Sequence, residues 1–242
     1  MKKAIFIIPF FNEETRIDIF EYKLAFNEYQ SIDFLLIDDG SKDSTSTILM
    51  DFEKDFDNVS TLLLVNNVGK AEAIRKGVLS INENDYEYLG YLDADLATPI
   101  SEMIRLVDFS VENNKFDFIM GSRIKLIGNE VSRSMKRHYF GRVFATIISQ
   151  FILKTPIYDT QCGAKIIKSK LAQSLFEKPF LTKWLFDVEL LLRFKAIDSK
   201  YIYKTREFPL NIWVEKGDSK IKFTDLLLVP YQIFKLYISY VK

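Results

Sequence analysis

Short apolar runs alternate with helix-length segments through the first half of this 242-residue chain. The apolar runs cover residues 4–9, 34–37, 61–65, 88–92 and 116–120, and the helical segments cover 15–29, 44 onwards, 69–80 and 101–113. Continuous apolar runs of this length are typical of parallel strands that are buried on both faces. The alternation predicts an α/β domain with a mainly parallel sheet and helices on both faces.

Local signals support individual helices in this pattern. In the segment 15–29, Ile17, Phe20 and Leu24 recur at spacings of three and four, which predicts a helix. Ser44 stands where an N-cap would open the next helix.

The second half of the chain lacks this regular alternation. Residues 131–153 are basic and then apolar, 166–176 and 183–195 are predicted helices, and 201–213 is predicted to be extended. Residues 216–242 mix lysine with apolar and aromatic residues, as amphipathic helices do. We therefore predict a domain at residues 1–215 and a basic, amphipathic helical appendage at residues 216–242.

Cysteine and histidine are nearly absent. The chain has one cysteine, Cys162, and one histidine, His138. Its residues are 48% hydrophobic, which is enough for a packed core. An intramolecular disulfide and a zinc site built from cysteine and histidine are therefore excluded. Any metal would bind to oxygen ligands, and we expect Cys162 to be a small buried core residue.

No segment is long enough to cross a bilayer. The longest uncharged apolar runs cover residues 143–153 and 226–234, well below the roughly 18 to 20 residues that a spanning helix needs. The start of the chain resembles a signal peptide, but Pro9 and the polar residues 12–14 interrupt its apolar run. We expect a buried first strand and a cytoplasmic protein.

The net charge of zero conceals an uneven distribution. Residues 1–121 carry 11 basic and 23 acidic residues, whereas residues 122–242 carry 22 basic and 10 acidic residues. A basic half of this kind indicates an anionic partner, either nucleic acid or an anionic membrane surface. An uneven but merely solvated surface is the alternative.

Polar residues follow the ends of the first four strands, and ligands of parallel sheets bind beyond these carboxyl ends. Asp38, Asp39 and Gly40 follow the second strand, and Asp93 and Asp95 follow the fourth. Mg²⁺ or Mn²⁺ is commonly held by one or two carboxylates together with substrate phosphates. The pair Asp93 and Asp95 therefore suits a diphosphate–metal clamp, and a pair of solvated loop aspartates is the alternative.

Four segments in this order carry a family resemblance: residues 8–13 (IPFFNE), 37–45 (IDDGSKDST), 66–77 (NNVGKAEAIRKG) and 93–96 (DADL). Together they resemble the family 2 glycosyltransferases of the GT-A fold, and the resemblance covers about residues 4–223. Residues 121–123, 159–165, 186–190 and 219–220 are similar to the polyprenyl-phosphate branch. Within it, Ala97-Thr98 and the sequence DTQCG resemble the dolichyl-phosphate β-glucosyl enzymes more than the mannosyl enzymes. Ala97 and Ala164 depart from the Gln of the mannosyl enzymes and the Phe of the β-glucosyl enzymes, respectively.

The resemblance implies roles for individual residues. Asp93 and Asp95 would bind Mg²⁺ or Mn²⁺, and Gly40 would let the backbone approach the ligand. Asp159, Asp187 and Arg123 are the implied catalytic residues. The implied nucleotide-binding residues are Pro9, Phe11, Glu13, Ile37, Asp39, Lys70, Asp93 and Ala94. The implied acceptor-phosphate residues are Arg123, Arg133, Arg137 and Lys220.

The resemblance implies an inverting transferase that moves a hexose, with glucose from UDP-glucose as the first choice, to a polyprenyl or dolichyl phosphate. A transferase to a soluble or polysaccharide hydroxyl is the first alternative, and it would need a general base such as Asp159 or Asp187. A catalytically inactive scaffold of the same fold is the second.

Two helical stripes suggest how the protein would meet a lipid acceptor. Residues 138–153 and 223–242 place aromatic and aliphatic side chains beside basic ones, as helices in a membrane interface do. We therefore expect peripheral attachment to an anionic membrane surface, on the inner face of the membrane, and no nucleic acid partner. Packing of both stripes on the core or in a homo-oligomer is the alternative.

Overall fold

The computed structural model describes residues 2–132, 135–216 and 223–242, and for 135–140 and 223–227 it describes the backbone alone. The described strands are β1 (Lys2–Phe10), β2 (Ile32–Asp38), β3 (Val59–Leu63), β4 (Tyr86–Tyr91), β5 (Phe118–Ser122), β6 (Glu130–Ser132), β7 (Lys165–Lys168), β8 (Thr205–Pro209) and β9 (Ile212–Val214). The described helices are α1 (Ile19–Glu28), α2 (Thr45–Asp55), α3 (Lys70–Ser80), α4 (Ile100–Glu112), α5 (Met135–Ile147), α6 (Ser169–Phe176), α7 (Phe186–Ile197), α8 (Tyr201–Lys204) and α9 (Phe223–Leu236). Two of them, α5 and α9, continue in wider π-helical turns through Leu153 and Val241.

Seven strands form one sheet in the order β3-β2-β1-β4-β7-β5-β8. Only β7 runs antiparallel to its two neighbours, so the predicted mainly parallel sheet is confirmed. The short strands β6 and β9 form a separate parallel pair.

The sheet divides the core into two layers because alternate side chains of a strand point to opposite faces. In β1, Phe6 and Ile8 pack with α1, α2 and α4, whereas Ile5 and Ile7 pack with α3, α6 and α7. We call these layers the α1 face and the α3 face. Helices therefore cover both faces, as the alternation of strands and helices predicts.

Helix α1 begins later than predicted and turns a different side toward the core. Asp18 accepts a hydrogen bond from the Glu21 N–H (3.1 Å), and the helix starts after this cap at Ile19. Phe20 is 73% exposed and Leu24 is 48% exposed, whereas the buried residues are Tyr22, Ala25 and Phe26. Ile17, which precedes the helix, still packs against the core of the α1 face, and the Tyr22 and Phe26 rings fill the space beneath α1.

Two predictions for the second half were wrong. Residues 165–168 form strand β7 rather than the start of a helix, because Ile166 and Ile167 fill both faces of the sheet between β4 and β5. The segment 201–213 is not continuously extended, since the single turn α8 precedes β8 and β9.

At α2, Ser44 is the N-cap residue, but its side chain makes no capping hydrogen bond, and Asp43 Oδ1 accepts the Thr45 N–H instead (3.1 Å).

The helical appendage is present as α9, and one side of it is part of the α3-face core. Leu236 is completely buried there, and Ile233 and Tyr240 pack against the same cluster. The boundary at residue 215 stays a prediction. Within the described ranges, no helix combines the length and the apolar character that crossing a bilayer requires.

The two sides of α1 give a matched pair of variants. The Phe26 ring lies 4.8 Å from that of Phe34 and 5.4 Å from that of Phe52, so Phe26→Ala should lower the free energy of unfolding by about 3 to 5 kcal/mol. Phe20→Ala, on the exposed side, should change it by no more than about 0.5 kcal/mol. Denaturant unfolding followed by circular dichroism measures both, and equal losses would contradict the observed helix face.

Candidate active site

Hydrogen bonds join the loops that follow β1 and β2 into one rim at the carboxyl edge of the sheet. The Asn12 N–H donates to Ser41 Oγ (2.9 Å), and the Lys42 N–H donates back to Asn12 Oδ1 (2.8 Å). The Glu13 N–H donates to Thr45 Oγ1 (2.9 Å) at the start of α2. The two loops therefore hold each other in place.

Asp39 fixes a third loop to this rim. Its carboxylate accepts hydrogen bonds from the N–H groups of Val68 (2.7 Å) and Gly69 (2.9 Å) and from the side-chain amide of Asn67 (2.9 Å). Burial raises the pKa of Asp39, and the two backbone N–H groups offset part of that rise. Asp39 thus determines where α3 begins.

Gly40 lets the loop that follows β3 approach closely. Its φ is +69°, and a Cβ there would lie 2.6 Å from backbone atoms of Asn66 and Asn67. The backbone that needs this close approach is therefore that of the neighbouring loop, which a side chain would push away.

The expected nucleoside-pocket residues differ in exposure. Pro9 and Phe11 are half-buried at the rim, and Glu13 is buried beside them. Ile37 is completely buried, and its Cδ1 lies 2.5 Å from the position of a Cβ on Gly77. Ile37 is therefore a core residue between the sheet and α3, and its assignment to the pocket wall is wrong because no part of its side chain is exposed.

Asp93 follows β4 and forms an ion pair with Lys70 at the start of α3. Its side chain is 43% exposed at the rim. Burial by itself would raise the pKa of Asp93, but the Lys70 ammonium, with smaller contributions from Arg123 and Lys165, holds it below its ordinary value. Asp93 is therefore ionised and accessible.

Asp95 carries the less compensated charge of the pair. Its Oδ1 accepts the Ala97 N–H (3.0 Å), and its Oδ2 lies 3.5 Å from Arg16 Nη2. The pKa of Asp95 is raised, first by burial and then by the Asp93 and Glu13 carboxylates, against the opposing effect of Arg16 and the Ala97 amide.

The backbone between these carboxylates and the next helix is tightly turned. Leu96 has φ +52°, in the left-handed region that few side chains adopt, and the Ala94 carbonyl accepts the Tyr22 hydroxyl (2.9 Å). Of the residues that the structure describes, no three His, Cys, Asp or Glu side chains form a metal-binding group. A divalent cation could bind to Asp93 and Asp95 and would take its other ligands from substrate or water.

Arg123 and Asp159, both predicted to be catalytic, form a bidentate ion pair. Arg123 Nε lies 2.7 Å from Asp159 Oδ2, and Nη2 lies 2.8 Å from Oδ1. The guanidinium also stacks 5.3 Å from the Trp213 ring centroid. Burial would lower the pKa of Arg123, but Asp159 outweighs it and raises that pKa. Glu207, which accepts the Tyr158 and Asp159 N–H groups, anchors the Asp159 loop.

Asp187, the third predicted catalytic residue, lies in the first turn of α7 and is also part of a buried ion pair. Its Oδ1 lies 2.7 Å from Lys165 Nζ and accepts the Tyr91 hydroxyl at 2.6 Å. Lys165 is completely buried and donates a second hydrogen bond to the Cys162 carbonyl (2.5 Å). Cys162 is itself completely buried, as predicted.

The structure adds two residues that the sequence analysis missed. Lys165 ends the segment 159–165 and Arg16 lies three residues beyond the segment 8–13, but the resemblance assigned a role to neither residue. Arg133 and Lys220, predicted to bind the acceptor phosphate, lie outside the described residues. Arg137 is described only by its backbone in α5.

The fold and the site define a class of enzyme. Residues 5–176 match the sequence model of Glycosyl transferase family 2, and the chain belongs to that family. The chain is therefore a glycosyltransferase by family, with the GT-A type of fold that the motifs predict.

Three of the curated relatives that the chain matches are dolichyl-phosphate beta-glucosyltransferases. A dolichyl-phosphate beta-glucosyltransferase of Trichomonas vaginalis is 29% identical over 97% of this chain and 71% of its own length. The enzymes of that name from Dictyostelium discoideum and Homo sapiens are each 30% identical, over 88% and 78% of this chain, respectively. The chain spans 62% of the length of each of these two.

Solved structures confirm the fold. Glucosyl-3-phosphoglycerate synthase from Mycobacterium tuberculosis, in complex with Mn²⁺, UDP-glucose and phosphoglyceric acid, has a TM-score of 0.72 and covers 98% of this chain and 79% of its own. The same enzyme with Mg²⁺ and UDP also gives 0.72, with the same coverage. The identities are 14% and 13%, so these likenesses concern the fold alone.

Gly163 keeps space for Asp93, which gives a direct test of the site. A Cβ on Gly163 would lie 2.1 Å from Asp93 Oδ2, so Gly163→Ala should displace that carboxylate and lower glycosyl transfer by about a hundredfold. Gly121→Ala is the control, because the three atoms nearest to its Cβ would belong to the side chains of Leu210, Ala164 and Cys162, at 3.0 to 3.2 Å, and not to Asp93. Rates are measured per folded protein, and an unchanged rate in Gly163→Ala would contradict a role for Asp93.

Proposed function

We propose that this chain transfers a hexose from a UDP-sugar to a polyprenyl phosphate, with inversion at the anomeric carbon. Glucose, UDP-glucose and a dolichyl-type lipid phosphate are the first choices, since the curated relatives described above carry the name dolichyl-phosphate beta-glucosyltransferase.

One observation favours a phosphate acceptor over a hydroxyl acceptor. Asp159 is bound to Arg123 at 2.7 and 2.8 Å, and Asp187 is bound to Lys165 and Tyr91 at 2.7 and 2.6 Å. A hydroxyl acceptor needs a general base within reach of its proton, whereas these two carboxylates already serve as counter-ions. A lipid phosphate, with a second pKa near 6, is ionised at neutral pH and needs no base.

The donor diphosphate would lie above Asp93 and Asp95. The two carboxylates fit a Mg²⁺ or Mn²⁺ ion because they offer oxygen ligands two residues apart at the rim, with the Glu13 carboxylate nearby. Such an ion would neutralise the leaving diphosphate when bound. Lys70 lies beside Asp93 and would meet the same phosphates. Pro9, Phe11, Glu13, Asp39 and Ala94 stay proposed nucleotide contacts.

The reaction needs no proton transfer. An oxygen of the acceptor phosphate attacks the anomeric carbon from the side opposite UDP, and the bond between that carbon and the diphosphate oxygen breaks with its electron pair leaving on UDP. Arg123 has N–H groups beyond the two that bind Asp159, and these would hold the acceptor phosphate. We propose Arg133, Arg137 and Lys220 for the same task.

The exposed apolar side chains of α5, α9 and their continuations, here called the membrane surface, would bring the protein to a lipid acceptor. On α5 and its continuation Val143, Ile147 and Phe151 are exposed, while Ile148 and Ile152 are buried in the α3-face core. On α9 and its continuation the exposed side chains are Leu228, Tyr231, Phe234, Tyr237 and Ile238. We propose that this surface meets an anionic membrane on the cytoplasmic side, since the half of the chain that carries it has a net charge of +12.

Metal dependence tests the donor site. Asp95→Asn preserves shape but removes the charge that would offset the cation, so transfer should fall by about a hundredfold or more. Asp57→Asn, the same change at an exposed position, should leave the rate unchanged. Rates are measured with Mg²⁺ and again with excess EDTA, and full activity in EDTA would refute the assignment.

The proposed reaction is tested by a panel of UDP- and GDP-sugars with a short polyprenyl phosphate or the matching polyprenyl alcohol. Mass spectrometry should find hexosyl phospholipid from UDP-glucose and the phosphate, and no product from the alcohol. Product from the alcohol alone would instead support the hydroxyl-acceptor enzyme, and the absence of any transfer would support the scaffold.

Flotation with vesicles tests the membrane surface. The protein should float with anionic vesicles at low salt, bind them less at high salt, and lose binding in the double variant Tyr231→Ser/Phe234→Ser. Phe20→Ala, which removes an exposed ring from α1, is the control. If the protein does not bind vesicles but forms dimers through the same side chains, the surface is an oligomer interface.

A further inference from the structure

The buried side of α9 holds the loop at residues 178–184, which joins α6 to α7. Gln232 is buried, and its Oε1 accepts the N–H of Trp184 at 3.0 Å. One turn further, Lys235 Nζ donates to the Leu181 carbonyl at 2.9 Å. Both bonds go to backbone atoms of the loop, so they fix its path whatever its side chains are.

A buried ion pair extends this attachment along α7. Glu189 and Arg193 are paired at 2.8 Å, and Glu189 also accepts the Leu181 N–H at 2.9 Å. The Tyr240 hydroxyl donates to the same Glu189 carboxylate at 3.1 Å. The C-terminal segment and the 178–184 loop therefore share one buried carboxylate.

The held loop leads directly into the site. Lys183 packs over the start of α3, where its Cε lies 3.4 Å from the position of a Cβ on Gly69. Phe186 begins α7 with its ring centroid 5.9 Å from Lys70 Nζ, and the next residue, Asp187, binds Lys165. A shift of this loop would therefore move the partners of two site lysines together.

We infer that Gln232 and Lys235 are positioning residues for glycosyl transfer. They act by holding the 178–184 loop so that Asp187 and Phe186 stay against Lys165 and Lys70. This inference rests on the proposed function for its kinetic consequence. Its structural part, the restraint of the loop by α9, stands without that function.

Two pairs of variants separate positioning from folding. Gln232→Leu removes the acceptor for the Trp184 N–H, whereas Gln232→Glu keeps an oxygen there and should rescue. Lys235→Met removes the donor to Leu181, whereas Lys235→Arg keeps one. The control Ser239→Ala lies at an exposed position in the continuation of α9, outside the proposed membrane surface.

Hydrogen exchange on the free protein is the first measurement. In Gln232→Leu and Lys235→Met the amides of residues 181–190 should exchange about tenfold faster, the factor that corresponds to one lost hydrogen bond, while the amides of β1 and β4 are unchanged. Unchanged exchange at 181–190, or faster exchange throughout the chain, would overturn the inference.

Steady-state kinetics with UDP-glucose and a short polyprenyl phosphate is the second measurement. The two disruptive variants should lose about tenfold in kcat, and the two conservative variants should retain wild-type kcat. Wild-type kcat in both disruptive variants would refute positioning. If the wild type itself makes no product, the proposed function fails, and hydrogen exchange still decides whether α9 restrains the loop.

Discussion

The pairing of opposite charges at the carboxyl edge of the sheet is the interaction on which the rest of this structure depends. Arg123 with Asp159 and Lys165 with Asp187 are buried pairs, and removing either partner would leave an uncompensated charge in a low-dielectric environment. The surrounding loops supply further hydrogen bonds around these pairs. Glu207, for example, holds the Asp159 backbone.

This arrangement also limits the chemistry of the site. Carboxylates that are paired with guanidinium and ammonium groups orient those cations, and their oxygens already have hydrogen-bond partners. A site built in this way suits reactants that arrive already charged, and a nucleotide diphosphate and a lipid phosphate are both of that kind. The pairing thus connects the folding requirement for compensated charges with the proposed transfer between two phosphate-bearing substrates.

Sequence patterns within a few neighbouring residues predicted most of the strands and helices, but not how distant segments pack together. The alternation of strands and helices predicted the parallel half of the sheet, and the strand ends located Asp93 at the rim. The position of β7 depends on Ile166 and Ile167 inserting between strands that are distant in sequence, which no short window reveals. The side of α1 that is buried was missed for the same reason. So were the contacts of Arg16 with Asp95 and of Lys165 with Asp187, which join residues 79 and 22 positions apart.

The most direct test of this account is the pH dependence of transfer with two acceptors. One is a short polyprenyl phosphate, and the other is its phosphonate analogue, which holds its second proton more tightly. If the carboxylates are counter-ions, the acidic limb of the kcat/KM profile belongs to the acceptor and should move to higher pH with the phosphonate. A limb at the same pH for both acceptors would show that a protein group acts as the base and would contradict the account.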